Sequence, residues 1–155
     1  MKKSITNIKI EPYAPNLGAI VTGVDLAIGV SNAEFKILYE AFLKYHVLFF
    51  QKQREIEPQV QVNFGKKFGP LHRHPAAPTM HGYPEIFEIH THKNSKIANG
   101  EFWHTDVSCD EIPPMATMLQ LQLLPACGGD TMFANMYLAY ETLSPRFKKL
   151  IDGLK

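Results

Sequence analysis

The sequence predicts a predominantly antiparallel β-sheet with flanking helices, a fold that is mainly β. The predicted strands differ in length and do not alternate regularly with helices, which disfavours a doubly wound parallel sheet. The chain has 155 residues, of which 45% are hydrophobic and 20% are charged, as is ordinary for a globular protein. This length is typical of one compact domain, so we expect residues 1–155 to form a single domain.

Three short strands are predicted in the first third of the chain. Residues 5–13 alternate polar and apolar side chains, which indicates a strand that ends near Pro12. A turn at 15–18 separates it from a short apolar strand at 19–21. Residues 47–50 form an apolar run of β-branched and aromatic side chains, which predicts a buried strand.

Two helices are predicted in the first half of the chain. Ser31 is followed three residues later by Glu34, which is the pattern of a capping box at a helix start. A second helix begins at Pro58, a residue suited to the first helical turn. It carries Phe64 and Phe68 one turn apart on one face, and the Gly-Pro pair that follows ends it.

The remainder of the chain mixes loops, strands and helices. Leucines that alternate with glutamines indicate a late strand, and Asn135 and Ser144 are residues able to cap helices. In chain order, the predicted elements are a loop at 70–84, a strand at 85–91, a loop at 93–101, a strand at 115–124, and helices at 135–143 and 144–153.

Charge and cysteine usage argue against several classes of protein. The net charge is +1, so no general field attracts nucleic acid or an anionic membrane. No apolar stretch approaches the roughly 20 residues that cross a bilayer. Residues 1–3 are basic but polar residues follow them, which does not predict a secretory signal. Cys109 and Cys127 form neither a CxxC pair nor a thiolate zinc site, and we expect a reducing cytoplasm.

His104 and Asp106 form the sharpest local feature of the sequence. In a strand, residues two apart point to the same face, so an imidazole nitrogen and a carboxylate oxygen could bind one ion there. With a second histidine they would complete the 2-His-1-carboxylate triad of non-haem iron oxygenases, which leaves positions open for a co-substrate and O2. Taken alone, the same pattern also describes a loop histidine hydrogen-bonded to a neighbouring aspartate.

Segments on both sides of this pair occur in a recognisable order. They are Gly18-Ala19, Thr22–Leu26, His46–Phe50, Phe64–His72, Phe102–Ser108, Pro113-Pro114, Leu124–Thr131 and Ala139–Ser144. Together they resemble the taurine dioxygenase family, the Fe(II)/2-oxoglutarate oxygenases that include taurine and 2,4-dichlorophenoxyacetate dioxygenases. The resemblance covers nearly the whole chain, and it implies a double-stranded β-helix, the jelly-roll fold shared with cupins.

The resemblance implies roles for four residues. His104 and Asp106 match the ligands of Fe(II), and Thr131 matches a threonine whose hydroxyl contacts the distal carboxylate of 2-oxoglutarate. His74 matches a histidine that contacts the substrate. The implied reaction hydroxylates a small-molecule substrate with O2 and releases succinate and CO2. The alternatives are an ordinary strand threonine at Thr131 and a loop histidine braced by Pro75 at His74.

Three positions depart from the pattern of the taurine enzyme. Ala77 replaces a tyrosine that contacts the substrate, Gly100 replaces an asparagine, and Cys109 replaces a phenylalanine. We therefore expect a small organic acid or sulfonate other than taurine as the substrate. His90 and His92 also stand two apart, but no carboxylate follows at the right offset, which favours surface or packing roles.

The family's second iron-binding histidine and its carboxylate-binding arginine belong to later strands than this chain contains. We therefore expect the β-helix to be incomplete at the C-terminus, and the 155-residue chain alone to be poorly stable and inactive. The alternative is a truncated, non-catalytic binding module of the same fold. A hydrolytic zinc site is a weaker third hypothesis, against which Thr131 and its Gly-Gly-Asp segment argue. The oligomeric state, a homo-oligomer included, stays open.

Overall fold

A computed structural model describes residues 7–74, 78–96, 100 and 102–154. The chain divides into two compact units. The first unit consists of Met1–Val24, Ser31–Lys52 and Leu124–Lys155. The second unit consists of Asp25–Val30 and Gln53–Leu123.

The first unit contains a three-stranded sheet in the order β1 (Lys9–Pro12), β2 (Ala19–Thr22) and β3 (Leu48–Phe50). β1 and β2 are antiparallel, whereas β2 and β3 are parallel. All three predicted strands are confirmed. However, β3 is half-buried along its length, so the prediction that this strand is buried is wrong.

Helix α1 (Asn32–Tyr45) connects β2 to β3 and begins with the predicted capping box. The Ser31 hydroxyl accepts a hydrogen bond from the Glu34 backbone N–H at 3.3 Å, and the Glu34 carboxylate accepts one from the Ser31 N–H at 2.9 Å. The Ser31 hydroxyl also donates to Glu34 Oε2 at 2.6 Å, and this bond is the main cause that lowers the pKa of Glu34. A parallel pair of strands needs such a crossover connection.

We expect Ser31→Ala to lower the free energy of unfolding by about 1 kcal/mol, because the Glu34 N–H loses its cap. Ser31→Thr keeps a hydroxyl and should stay near the wild-type value in urea unfolding. Since the pKa of Glu34 is lowered by folding from an ordinary value of 4.5, the carboxylate stabilises above that value and its contribution disappears as the pH falls through the folded pKa. The difference in the free energy of unfolding between wild type and Ser31→Ala should therefore become smaller as the pH falls. A difference that does not change with pH would contradict this.

The core of the first unit is formed by β2 and α1. Ala19 and Val21 are 0% exposed in the strand, and Leu38 is 0% and Ala41 6% exposed in the helix. Alternate residues of β2 are buried, as expected for a strand with one face on the core. The apolar side chains of α1 recur one turn apart, so that one face of the helix is buried.

The first unit also contains the two helices predicted near the end of the chain. They are α3 (Met136–Glu141) and α4 (Pro145–Ile151). Asn135 Oδ1 accepts a hydrogen bond from the Leu138 N–H at 3.0 Å, and Ser144 Oγ accepts one from the Phe147 N–H at 3.3 Å. Both predicted caps are therefore confirmed. Among the described residues, no helix is long and apolar enough to cross a membrane.

The second unit begins with a short 3-10 helix at Leu26–Ile28 and continues through α2 (Pro58–Gly65) to a hairpin of β4 (Thr79–Met80) and β5 (Tyr83–Phe87). Its buried apolar side chains come from these elements and from the segments beside them. They are Leu26, Val30, Ile56, Val62 and Phe64. The two units thus each have a small core of their own.

Several predicted boundaries in the second unit are wrong. Helix α2 ends at Gly65 rather than at the Gly-Pro pair, because the N–H groups of Lys67 and Phe68 bond to carbonyls only three residues back. The loop predicted at 70–84 contains β4 and the start of β5, and the predicted strand at 85–91 begins earlier and ends at Phe87. A two-residue turn of His81 and Gly82, with φ of 82° at the glycine, joins the hairpin.

The strand predicted at 115–124 is not found in the described structure. Its period-two pattern is real, but a strand needs a hydrogen-bonded neighbour, and no described strand pairs with this segment. Its alternating leucines, Leu119, Leu121 and Leu123, are 59%, 66% and 83% exposed. Two of the three strand pairings that the described residues do form are antiparallel.

Candidate metal centre

His104 and Asp106 lie close together in the second unit. The distance from His104 Nε2 to Asp106 Oδ1 is 3.3 Å, and the two side chains are 55% and 48% exposed. The sequence had suggested that the two residues lie in a strand. They do not, because Asp106 opens a turn that runs to Cys109. Their approach is therefore not a consequence of strand alternation.

The orientation of the His104 ring is set by the backbone. Nδ1 lies 2.7 Å from the carbonyl oxygen of Phe102. A carbonyl can only accept, so Nδ1 carries the proton and donates it. In the neutral imidazole the lone pair is then on Nε2, the nitrogen that faces Asp106. A backbone carbonyl on the far nitrogen is the usual arrangement behind a metal-binding histidine.

The Asp106 carboxylate is held from its other side by Thr117. The Thr117 hydroxyl donates to Asp106 Oδ2 at 2.7 Å, which leaves Oδ1 facing His104 Nε2. Sequence reasoning missed Thr117. It stands eleven positions after Asp106 in a segment whose pattern indicated only a strand, and no local motif marks it.

The spacing of these two atoms suits a divalent ion. Two donors that each lie about 2.1 Å from one ion, at roughly a right angle, are about 3 Å apart. With the imidazole neutral, a nitrogen lone pair and a carboxylate oxygen at 3.3 Å both present electron density, so a cation between them would be stabilising. Among the described residues, however, no group of three histidine, cysteine, aspartate or glutamate side chains could hold a metal ion.

The turn after Asp106 has an unusual backbone. Val107 has φ of 51°, a left-handed conformation that is uncommon for a β-branched residue. The turn brings the Asp110 N–H to 3.2 Å from the Val107 carbonyl. Asp110 Oδ2 in turn lies 3.1 Å from His72 Nε2. The segment that carries the candidate ligands is thus linked to the loop that carries His72 and His74.

His74 lies in that loop, in the same unit as His104. Its ring stacks on Phe87 at the end of β5, with ring centroids 5.8 Å apart and planes at 24°. The His72 ring lies edge-on to it at 6.3 Å. Pro75, which was expected to brace His74, lies outside the described residues. The ring of His74 is therefore positioned by an aromatic contact that the sequence did not indicate.

Thr131 belongs to the first unit, whereas His104, Asp106 and His74 belong to the second. It is exposed and lies outside any strand of the described structure. The two glycines shortly before it, Gly128 and Gly129, have φ of 76° and 75°. Such left-handed conformations are accessible to glycine without strain.

The remaining positions discussed from the sequence are Ala77, Gly100, Cys109, His90 and His92. Ala77 lies outside the described residues. A Cβ at Gly100 would lie 3.7 Å from His104 Cε1, an ordinary van der Waals contact. Cys109 is an exposed free thiol. His90 and His92 have ring centroids 5.7 Å apart.

The second unit also holds two exposed arginine–carboxylate pairs. Arg73 Nη2 lies 2.8 Å from Glu85 Oε1, and Arg54 Nη2 lies 2.6 Å from Asp25 Oδ2. The hydrogen bond from the guanidinium is the main cause that holds the pKa of each carboxyl below its ordinary value. Arg73 directly precedes His74, so its charge is already engaged by Glu85 beside the candidate substrate contact.

We expect Arg73→Gln to raise the pKa of Glu85 and to leave that of Asp25 unchanged. Arg54→Gln should raise the pKa of Asp25 and leave that of Glu85 unchanged. Because folding depresses the pKa of both carboxyls, each one stabilises the protein above its unfolded pKa and loses that contribution as the pH falls through its folded pKa. NMR titration of the carboxyl carbons measures both values, and each variant is the control for the other. A variant that shifts both pKa values would show a global response instead of a local bond.

Comparison with known proteins adds family-level information. The family described as "Taurine catabolism dioxygenase TauD, TfdA family" matches residues 9–155. An alkylsulfatase from Acinetobacter baylyi is 31% identical over 147 residues, which cover 95% of this chain and 45% of that relative. An alpha-ketoglutarate-dependent sulfate ester dioxygenase from Pseudomonas putida is 32% identical over 147 residues, which cover 95% of this chain and 48% of the relative.

The fold has a counterpart among solved structures. The crystal structure of a taurine dioxygenase from Burkholderia xenovorans matches with a TM-score of 0.79 at 33% sequence identity. The match covers 94% of this chain and 51% of that structure. The chain thus spans about half the length of these two relatives and of this structure.

Proposed function

The chain belongs to the taurine catabolism dioxygenase TauD/TfdA family, and we propose that it carries two of the iron ligands of an Fe(II)- and 2-oxoglutarate-dependent dioxygenase. The observation that supports this proposal is the pairing of His104 Nε2 with Asp106 Oδ1 at 3.3 Å. Both side chains are bonded on their far sides, to Phe102 and Thr117, so that the two facing atoms are the ones left for an ion.

In this proposal, His104 and Asp106 hold Fe(II), and Thr131 donates its hydroxyl to the distal carboxylate of 2-oxoglutarate. Bound iron supplies, with 2-oxoglutarate and O2, the oxidation that hydroxylates a substrate and releases succinate and CO2. The protein's own part is to bind and orient the reactants. We propose that the residues of this chain form the N-terminal part of a single-domain double-stranded β-helix.

We propose a small organic acid or sulfonate as the substrate, with His74 as one of its contacts. An imidazole can donate a hydrogen bond to an oxyanion, and stacking on Phe87 limits the orientations of its ring. The guanidinium of the neighbouring Arg73 is bonded to Glu85. Two relatives act, by their names, on a sulfate ester and on taurine, and both classes present an oxygen anion on sulfur.

A non-catalytic binding module of the same fold is the second candidate. It is favoured by the absence of a third metal-binding side chain near His104 and Asp106 among the described residues. A two-ligand site binds an ion more weakly than a three-ligand site. We therefore propose that the 155-residue chain by itself binds iron and 2-oxoglutarate but does not turn over.

An anaerobic titration with Fe(II), followed by 2-oxoglutarate, tests the proposal. We expect the weak visible charge-transfer band of the iron–2-oxoglutarate chelate, which neither a hydrolytic zinc site nor an inert module would give. Omitting 2-oxoglutarate, or replacing it with succinate, is the matched control. No band at millimolar Fe(II) would overturn the assignment of iron and 2-oxoglutarate. Succinate released after O2 is admitted would overturn the inactivity of the isolated chain.

A further inference from the structure

We propose that Thr117 is a positioning residue that keeps the Asp106 carboxylate monodentate toward the metal. This inference rests on the proposed function, because it concerns how one of the two candidate ligands is presented. The Thr117 hydroxyl donates to Asp106 Oδ2 at 2.7 Å. The other oxygen, Oδ1, is the one that faces His104 Nε2 at 3.3 Å.

The two oxygens of a free aspartate are equivalent. Rotation about the last side-chain bond of aspartate is broad and roughly two-fold, and the Asp106 side chain is 48% exposed, so packing alone does not choose between its oxygens. A hydroxyl donor on one oxygen removes this equivalence. Bonds of this kind to an ionised oxygen are roughly twice as strong as neutral ones.

Thr117 is well suited to hold that position. Threonine is branched at Cβ and therefore has few allowed rotamers, so its hydroxyl is directed more narrowly than that of a flexible side chain. The contact is tertiary, since it joins the turn that begins at Asp106 to the segment that begins near Met115. That segment has a second tie within the unit, because the Gln120 side-chain amide donates to the Arg54 carbonyl at 3.3 Å.

The consequence concerns the open positions around the metal. A carboxylate that binds through both oxygens occupies two coordination positions, whereas one that binds through Oδ1 alone occupies a single position. An Asp106 whose Oδ2 is engaged by Thr117 would therefore leave one more coordination position for 2-oxoglutarate and O2. Outer-sphere partners of this type also fix ligand orientation, and their loss costs about 10- to 100-fold in metal affinity.

The test uses Mn²⁺ as the probe and the 155-residue chain, with free Mn²⁺ measured by EPR. We expect Thr117→Val, which keeps the shape but removes the hydroxyl, to raise the Kd for Mn²⁺ by about tenfold or more. Thr117→Ala should give a similar loss. Thr117→Ser should restore the Kd to near the wild-type value, and Thr91→Val, at another exposed threonine of the same unit, should leave it unchanged.

If Thr117 had only a structural role, Thr117→Val would lower the unfolding midpoint of the metal-free chain. Under the proposal, the metal-free unfolding midpoints of wild type and Thr117→Val should agree, since the contact is exposed. Wild-type affinity in Thr117→Val, or a full loss of affinity in Thr117→Ser, would overturn the inference. Asp106→Ala separates the two levels of the proposal. If it abolishes Mn²⁺ binding while Thr117→Val keeps the wild-type Kd, only the role of Thr117 is wrong; if it has no effect, the candidate metal centre is wrong as well.

Discussion

Asp106→Ala is expected to weaken the binding of a divalent ion to this chain by more than about 100-fold, and His104→Ala is expected to do the same. Loss of an outer-sphere partner alone costs about 10- to 100-fold, and each of these substitutions removes a donor atom itself. The pair sits at 3.3 Å with one nitrogen and one oxygen directed at each other. With either atom gone, the remaining side chain is a single exposed ligand.

The measurement is an NMR titration with Mn²⁺, whose unpaired electrons broaden nearby amide signals. We expect broadening centred on the turn that begins at Asp106 and on the Trp103 amide beside His104, and its loss in both variants. Glu111→Ala is a matched control because it removes an exposed carboxylate of the same segment. His90→Ala, a second control, removes one histidine of the pair His90 and His92. Broadening that survives Asp106→Ala but disappears in a control would place the ion elsewhere.

Leu38→Ala is expected to lower the free energy of unfolding of the first unit by about 2–5 kcal/mol. Leu38 is 0% exposed and is one of the two largest fully buried side chains in the described structure. Truncating such a residue removes apolar surface from the core and leaves a cavity that the surrounding side chains fill only partly. The first unit has a small core, so little remains to compensate for the loss.

Leu43→Ala is the matched control on the same helix. Leu43 is 54% exposed, so the same chemical change should cost well under half as much, and helix propensity slightly favours alanine. Urea unfolding followed by far-ultraviolet circular dichroism gives both values. Equal losses in the two variants would show that the core does not lie where β2 and α1 place it.

Short sequence patterns predicted the structural features that are set by residues close together in the chain. The caps at Ser31, Asn135 and Ser144 each satisfy an N–H three positions on, so the information lies within one helical turn. The family resemblance, which rests on collinear motifs, is confirmed. The hairpin at His81 and Gly82 was missed because prolines around it indicated a loop, although a glycine in a two-residue turn was the available signal.

The candidate site was predictable in its motif but not in its surroundings. The sequence placed His104 and Asp106 on a strand, and the structure places Asp106 at the start of a turn. The hydrogen bond from Thr117 spans eleven residues, and the pair of His72 and Asp110 spans thirty-eight. Contacts between distant residues depend on how the chain folds back, which periodicity and spacing do not specify.

The parallel pairing of β2 with β3 constrains the order in which the first unit can assemble. β1 and β2 are joined by a short loop, whereas β2 and β3 meet only after the chain has passed through α1. The entropy lost on closing a loop grows with its length, so the antiparallel pair is the less costly one to form. Helix α1 has its start specified locally by Ser31 and Glu34 and shortens the span that must be closed. The sheet can therefore grow from its antiparallel edge, with β3 as the last strand to join.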